Sequence, residues 1–161
     1  MKTEVNPQDT NRAEAFELWI SSPMPMVTLT KTFDVSRMIR VSRKLGVKFN
    51  ALRCWCIGKA ATQSEEFYLL PENGKLFQYD CIAVNVIVNN IKGGINSCDI
   101  PFTDNLKKFL HEYNIVTEKV ASECKSSFLK DYMVVGTSAM IQTELDRKHN
   151  QILDFFNQIP F

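Results

Sequence analysis

The sequence has no run of about 18 apolar residues of the kind that crosses a bilayer. It has no glycine-rich phosphate cradle: neither G-x-x-x-x-G-K-[ST] nor G-x-G-x-x-G occurs, and Gly93-Gly94 stands alone. There is no G-x-S-x-G nucleophile elbow, no internal repeat and no low-complexity tract. Cys54-Trp55-Cys56 has no second close cysteine pair to complete a tetrahedral metal site. Charge of one sign is not in excess either. The net charge of +1 gives no electrostatic reason to expect nucleic acid or an acidic membrane surface as a partner, so neither is expected. These absences remove P-loop and dinucleotide-binding enzymes, serine hydrolases of the elbow type and zinc modules from consideration.

What is present is the material of one globular domain, read here as spanning residues 1–161. Of these residues 45% are hydrophobic, enough for a sizeable core, and eleven are Phe. Five cysteines, an odd number, and a polar N-terminus (MKTEVNPQDTNR) without a secretory pattern lead to the expectation of free thiols in a soluble cytoplasmic protein.

Local patterns predict alternating helices and strands. Asp9-Thr10-Asn11 offers caps for a helix in RAEAFELWI, with Ala15, Phe16 and Trp19 on one face, ended by Pro23 and Pro25. Met26 to Phe33 is β-branched and partly alternating, which predicts a strand. Asp34 or Ser36 caps VSRMIRVSRKL, with Gly46 at its left-handed end. Asn50 is expected to cap the apolar helix ALRCWCIGKAATQ. Phe67–Leu70 and Leu76–Tyr79 flank the turn PENGK, and Cys81–Val88 is a strong strand whose apolar run suggests a sheet covered on both faces. Residues 89–99 read as a loop or hairpin. Thr103 or Asp104 caps a long helix with Leu106, Phe109, Leu110, Tyr113, Val116 and Val120 at helical spacing. Tyr132–Ile141 is the last expected strand. The fold class is α/β (α+β): a two-layer sandwich of helices on a mixed β-sheet.

Chemistry-bearing residues are few. His111 and His149 lie among polar neighbours and read as solvated. Thr137 and Ser138 sit in the last strand pattern, where their hydroxyls are either structural or oxyanion donors.

Several stretches together resemble the chloramphenicol acetyltransferase family. Arg12-Ala13-Glu14-Ala15-Phe16-Glu17 resembles its N-terminal R-x-E-x-F-E. MVTLTKTFDVSRM resembles its strand entry into a helix, and Lys48-Phe49-Asn50-Ala51-Leu52 the start of its second helix. Glu66-Phe67 followed by Leu76-Phe77-Gln78-Tyr79-Asp80 resembles its P-E-F-R…L-x-x-[YW]-D run, and YMVVGTSAMI its later strand. The resemblance implies a homotrimer with sites at subunit interfaces and direct acetyl transfer from acetyl-CoA to a small-molecule hydroxyl acceptor. By position it makes Arg12 the arginine that pairs with a motif aspartate, a task suited to a bidentate guanidinium fork. It makes Ser138 or Thr137 the oxyanion hydroxyl, and places Trp19, Phe16 and Met24 in the acceptor pocket. The family's H-H-x-x-x-D-G, which supplies the general base and that aspartate, does not occur in these residues. The expectation is therefore an acetyltransferase portion that stops before its catalytic motif and is inactive alone. The alternative is a non-catalytic binding or oligomerisation module.

Overall fold

The computed structural model describes residues 1–139. Its elements are β1 (Lys2–Val5), α1 (Ala13–Ile20), α2 (Ser36–Leu45), α3 (Phe49–Ala61), β2 (Leu69–Glu72), β3 (Lys75–Tyr79), β4 (Ile82–Asn89), β5 (Ile95–Pro101), α4 (Leu106–Glu123) and β6 (Met133–Gly136). The helix-on-sheet class is as expected, but the strands form two sheets rather than one. A small antiparallel sheet has the order β1-β3-β2, and a mixed sheet has the order β5-β4-β6 with β4 and β6 parallel.

The mixed sheet carries the core. Val84 and Val86 of β4 and Cys98 and Ile100 of β5 meet Ala51 and Cys54 of α3 and Phe109, Tyr113 and Val120 of α4, all buried. The apolar spacing along α4 produces this: Phe109, Tyr113 and Val120 follow one stripe that lies on β5. Gly58 lets α3 approach closely, since a Cβ there would collide with the Phe102 ring and reach Val84. The apolar run of β4 is covered on both faces only in its first half. Ile82, Ala83 and Val84 are buried, whereas Ile87 is exposed.

The small sheet is built by local chemistry. Asn73 and Gly74 both take positive φ (50° and 79°), the two-residue turn that matches strand twist. It joins β2 to β3 with Glu72 opposite Lys75. Pro71 is tolerated because β2 is an edge strand. β1 was not expected from the sequence. It is polar, and its side chains are tied across the sheet rather than packed. Lys2 Nζ donates to Glu72 Oε2 at 2.5 Å, and Lys75 Nζ to Glu4 Oε2 at 2.8 Å.

Several local expectations are corrected. Residues 26–33 form no strand among the described residues. They run irregular and exposed, because β-propensity forms a strand only against a partner. Asp9, Thr10 and Asn11 do not cap α1, whose start lacks a side-chain cap; the Thr10 hydroxyl accepts from the Arg12 N–H instead. Asn50 lies inside α3, where its amide donates to Tyr113 Oη and accepts from Arg53 Nε. α4 is capped by Asn105, which accepts from the Lys108 N–H at 3.1 Å, not by Thr103 or Asp104. Phe67 and Tyr68 belong to a 3-10 turn ahead of β2. β6 ends at Gly136, so Thr137 and Ser138 follow the strand. Neither Asp34 nor Ser36 caps α2: the cap position falls on Val35, which makes no side-chain bond, and the Asp34 carboxylate accepts from the Ser36 N–H at 2.8 Å. Gly46 takes the left-handed conformation after α2, as expected.

Candidate functional site: the cavity between α1 and the small sheet

Arg12, Ala15, Phe16, Trp19 and Ile20 recur at i, i+3, i+4, i+7 and i+8, one stripe along α1. The alternation of β2 and β3 turns Leu69, Pro71 and Leu76 to one face of the small sheet, with Pro71 directly opposite Leu76. Stripe and face meet around a cavity of about 280 Å³, closed further by Pro25 and Glu66. α1 covers the sheet without filling the space beneath it, so Trp19 remains 40% exposed.

The cavity is apolar with two opposite charges on its lining, the Arg12 guanidinium and the Glu66 carboxylate. Among the described residues Arg12 forms no salt bridge within 4.0 Å. A polar hollow adjoins it across Leu69, lined by Asp9, Thr10, Asn11, Glu65, Tyr68 and Gln78. Such walls suit a small molecule with an apolar, ring-bearing body and a few hydrogen-bonding groups.

The structure brings together three of the six residues singled out from sequence, Arg12, Phe16 and Trp19. Met24 does not line the cavity; it is exposed, and Pro25 takes the adjacent place in the wall. Thr137 and Ser138 do not line it either. The Thr137 hydroxyl donates to the Asn85 carbonyl at 2.8 Å, the same oxygen that accepts the Thr137 N–H, and lies 3.7 Å from the buried Cys54 Sγ. Its proton is therefore committed to the backbone, and burial pushes the Cys54 thiol up. Ser138 is exposed and makes no hydrogen bond to another described residue. His111 is exposed on α4, and His149 lies outside the described residues. So does the expectation about where the chain stops. Among the described residues no group of three or more His, Cys, Asp or Glu side chains converges as a metal site would require.

Sequence reasoning missed the second wall, Leu69, Pro71 and Leu76, and the charge at Glu66. Its signal was the hairpin: once Asn73-Gly74 fixes the turn, register dictates which side chains share a face.

Comparison with solved structures finds a chloramphenicol acetyltransferase with a TM-score of 0.67 and 14% sequence identity, covering 88% of this chain and 85% of that one. The fold is chloramphenicol-acetyltransferase-like. No family model matches the chain, and no curated protein matches it. At this identity the likeness lies in the backbone path. Among the described residues no helix is long and apolar enough to cross a membrane.

Proposed function

We propose that the chain binds a small hydroxyl-bearing acceptor in the α1–hairpin cavity and serves its O-acetylation by acetyl-CoA, as a homotrimer whose subunits meet at the site. The observation that carries this reading is the cavity itself, walled by Phe16 and Trp19 with Arg12 on its lining, in a chloramphenicol-acetyltransferase-like fold. Phe16 and Trp19 hold the apolar body of the acceptor. Arg12 supplies a permanent bidentate donor. Of the two hydroxyl candidates, only Ser138 has an uncommitted proton, because the Thr137 hydroxyl already donates to Asn85. Since Ser138 does not line the cavity of its own subunit, it would act as oxyanion donor across the subunit interface of the trimer.

A second reading is a small-molecule-binding module that does not itself transfer acetyl groups. It is favoured by one observation: no histidine lines the cavity among the described residues. Loss of a positioned base forfeits about 10²–10⁴-fold in rate.

One experiment separates the two. The 161-residue chain is incubated with acetyl-CoA and a panel of aromatic alcohols that includes chloramphenicol. Acceptor binding is followed by tryptophan fluorescence and acetylated product by mass spectrometry. The transferase reading expects product, with Ser138→Ala slowing its formation about 10²–10³-fold. Binding that Trp19→Ala weakens, without product, supports the module. An absence of binding across the panel removes the cavity from both.

A further inference from the structure

The net charge of +1 conceals a local concentration. Between Lys31 and Lys48 the chain carries six cations, Lys31, Arg37, Arg40, Arg43, Lys44 and Lys48, against one carboxylate, Asp34. Lys48 pairs with Glu118 at 3.7 Å; among the described residues Arg37, Arg40, Arg43 and Lys44 enter no ion pair within 4.0 Å. Three of these four stand on one side of α2. Arg37, Arg40, Val41 and Lys44 recur at i, i+3, i+4 and i+7 around a shallow groove of about 240 Å³. Half-buried Met38 and Ile39 and buried Ser42 occupy the other side of the helix, which packs on α3.

The segment leading into α2 is apolar and uncovered. Met24, Met26, Val27, Leu29 and Phe33 are 65–90% exposed, and Val35, Val41 and Leu45 of the helix region are exposed as well. A cationic helix face preceded in the chain by a run of exposed apolar side chains has the composition of a surface that lies on a charged bilayer. The cations approach phosphate and carboxylate headgroups while the apolar side chains enter the acyl boundary.

We propose that residues 24–45 form a docking surface for an anionic lipid membrane. Charge complementarity selects this occupant. A second copy seated face to face on the same strip would set its unpaired arginines against those of the first, and a neutral apolar partner would leave the groove cations unused. Membrane-surface docking does not depend on the proposed acetyl transfer, and Pro25 of this strip also walls the α1–hairpin cavity.

Vesicle co-sedimentation of the full chain tests this. Vesicles of phosphatidylcholine with one-third phosphatidylserine should bind the protein, and pure phosphatidylcholine should not. Raising salt from about 0.1 M to about 1 M shortens the screening length from about 10 Å to about 3 Å and should release it. Arg37→Glu/Arg40→Glu should lower the partition coefficient by at least about tenfold, since each surface cation contributes about fivefold. Leu29→Ser/Phe33→Ser should lower it several-fold with unchanged circular dichroism. Equal binding to both vesicle types would overturn the proposal. So would absence of vesicle binding, whether size-exclusion shows dimers that the Leu29/Phe33 variant dissociates or that variant lowers the melting temperature of the chain itself. Tight binding of soluble O-phosphoserine that displaces vesicles would reassign the groove to a small anion and also overturn it.

Discussion

The two sheets of this protein are held together by different physics. The mixed sheet is buried by helices: Phe109, Ile100, Val84 and Val86 are all but inaccessible, and their packing leaves no room for a ligand among them. The small antiparallel sheet is fastened by cross-strand charge and hydrogen bonding. Lys2 reaches Glu72, Tyr79 Oη donates to the same carboxylate, and Lys2 Nζ lies 4.8 Å from the Phe77 ring centroid. α1 covers this sheet incompletely, and the incompleteness is the cavity. Close packing and open volume thus fall in different regions, because a close-packed core cannot also be a vacancy.

The sharpest way to break that division is to empty the core. Phe109 is fully buried and meets Phe102 and Tyr113 at ring-centroid distances of 6.0 and 6.4 Å. Phe109→Ala should cost about 3–5 kcal/mol, read as a fall in the urea midpoint at unchanged slope. A loss below about 1 kcal/mol would mean that the helix-covered sheet is not the stable part.

Alkaline pH probes the same core without mutation. Desolvation first, then the neighbouring Asp99 charge, pushes the Cys98 thiol up from 9.0 to about 11. The folded state keeps the proton longer than the unfolded chain does. Stability is therefore full below pH 9 and falls as pH rises toward 11, by about 2–3 kcal/mol on a slope of 1.36 kcal/mol per pKa unit. Cys54, also pushed up by burial, acts in the same direction. Urea midpoints measured across this range should fall for the natural chain and fall less for Cys98→Ala. Parallel curves would show that the thiol does not ionise within the core.

The same contrast explains what could be read from the sequence. The stripe on α4 and the strand at β4 were legible because close packing writes periodicity: Phe109, Tyr113 and Val120 had to be apolar at helical spacing. The Asn73-Gly74 hairpin was legible because only a few residues accept positive φ. β1 was hidden because Lys2 and Glu4 contribute through partners some seventy positions away, and no local pattern records them. The strand expected at residues 26–33 failed for the converse reason, having local propensity without a described partner. At the site, Ala15, Phe16 and Trp19 were visible as one helix face, and Arg12 only through the resemblance of Arg12-Ala13-Glu14-Ala15-Phe16-Glu17 to a family motif. The facing wall of Leu69, Pro71 and Leu76 emerges only when the hairpin register is laid against α1. Thr137 was a candidate by residue type, and its bond to the Asn85 carbonyl is a tertiary fact that no motif contains.

The cavity wall should respond to mutation in the reverse sense to the core. Trp19→Ala removes a large side chain that is 40% exposed, so folding stability should change by less than about 2 kcal/mol, well under the Phe109 effect. Binding of an aromatic acceptor should weaken by about tenfold or more, since such anchors dominate apolar contact. Isothermal titration against the same ligand, beside a urea curve, gives both quantities. Equal damage to stability and binding would make Trp19 a packing residue.

The smallest effect expected is at the polar fastening. Lys2 first, then Tyr79, holds the Glu72 carboxyl below its ordinary 4.5, and the same hydrogen bond holds the Lys2 ammonium above 10.5. For Glu72 the stabilisation is present above pH 4.5 and lost as pH falls through its lowered value. For Lys2 it is present below pH 10.5 and lost as pH rises through its raised value. Both groups are near solvent, so the pair contributes little, and less in salt. Glu72→Gln should leave the urea midpoint at neutral pH almost unmoved and flatten its decline below pH 4.5. Hydrogen exchange at the β1 amides should be faster in this variant, while the β4 and β5 amides remain unchanged, because the pair fastens one sheet and does not touch the other. Faster exchange in both sheets would mean that the two fold as one cooperative unit and that the division between them is one of geometry alone.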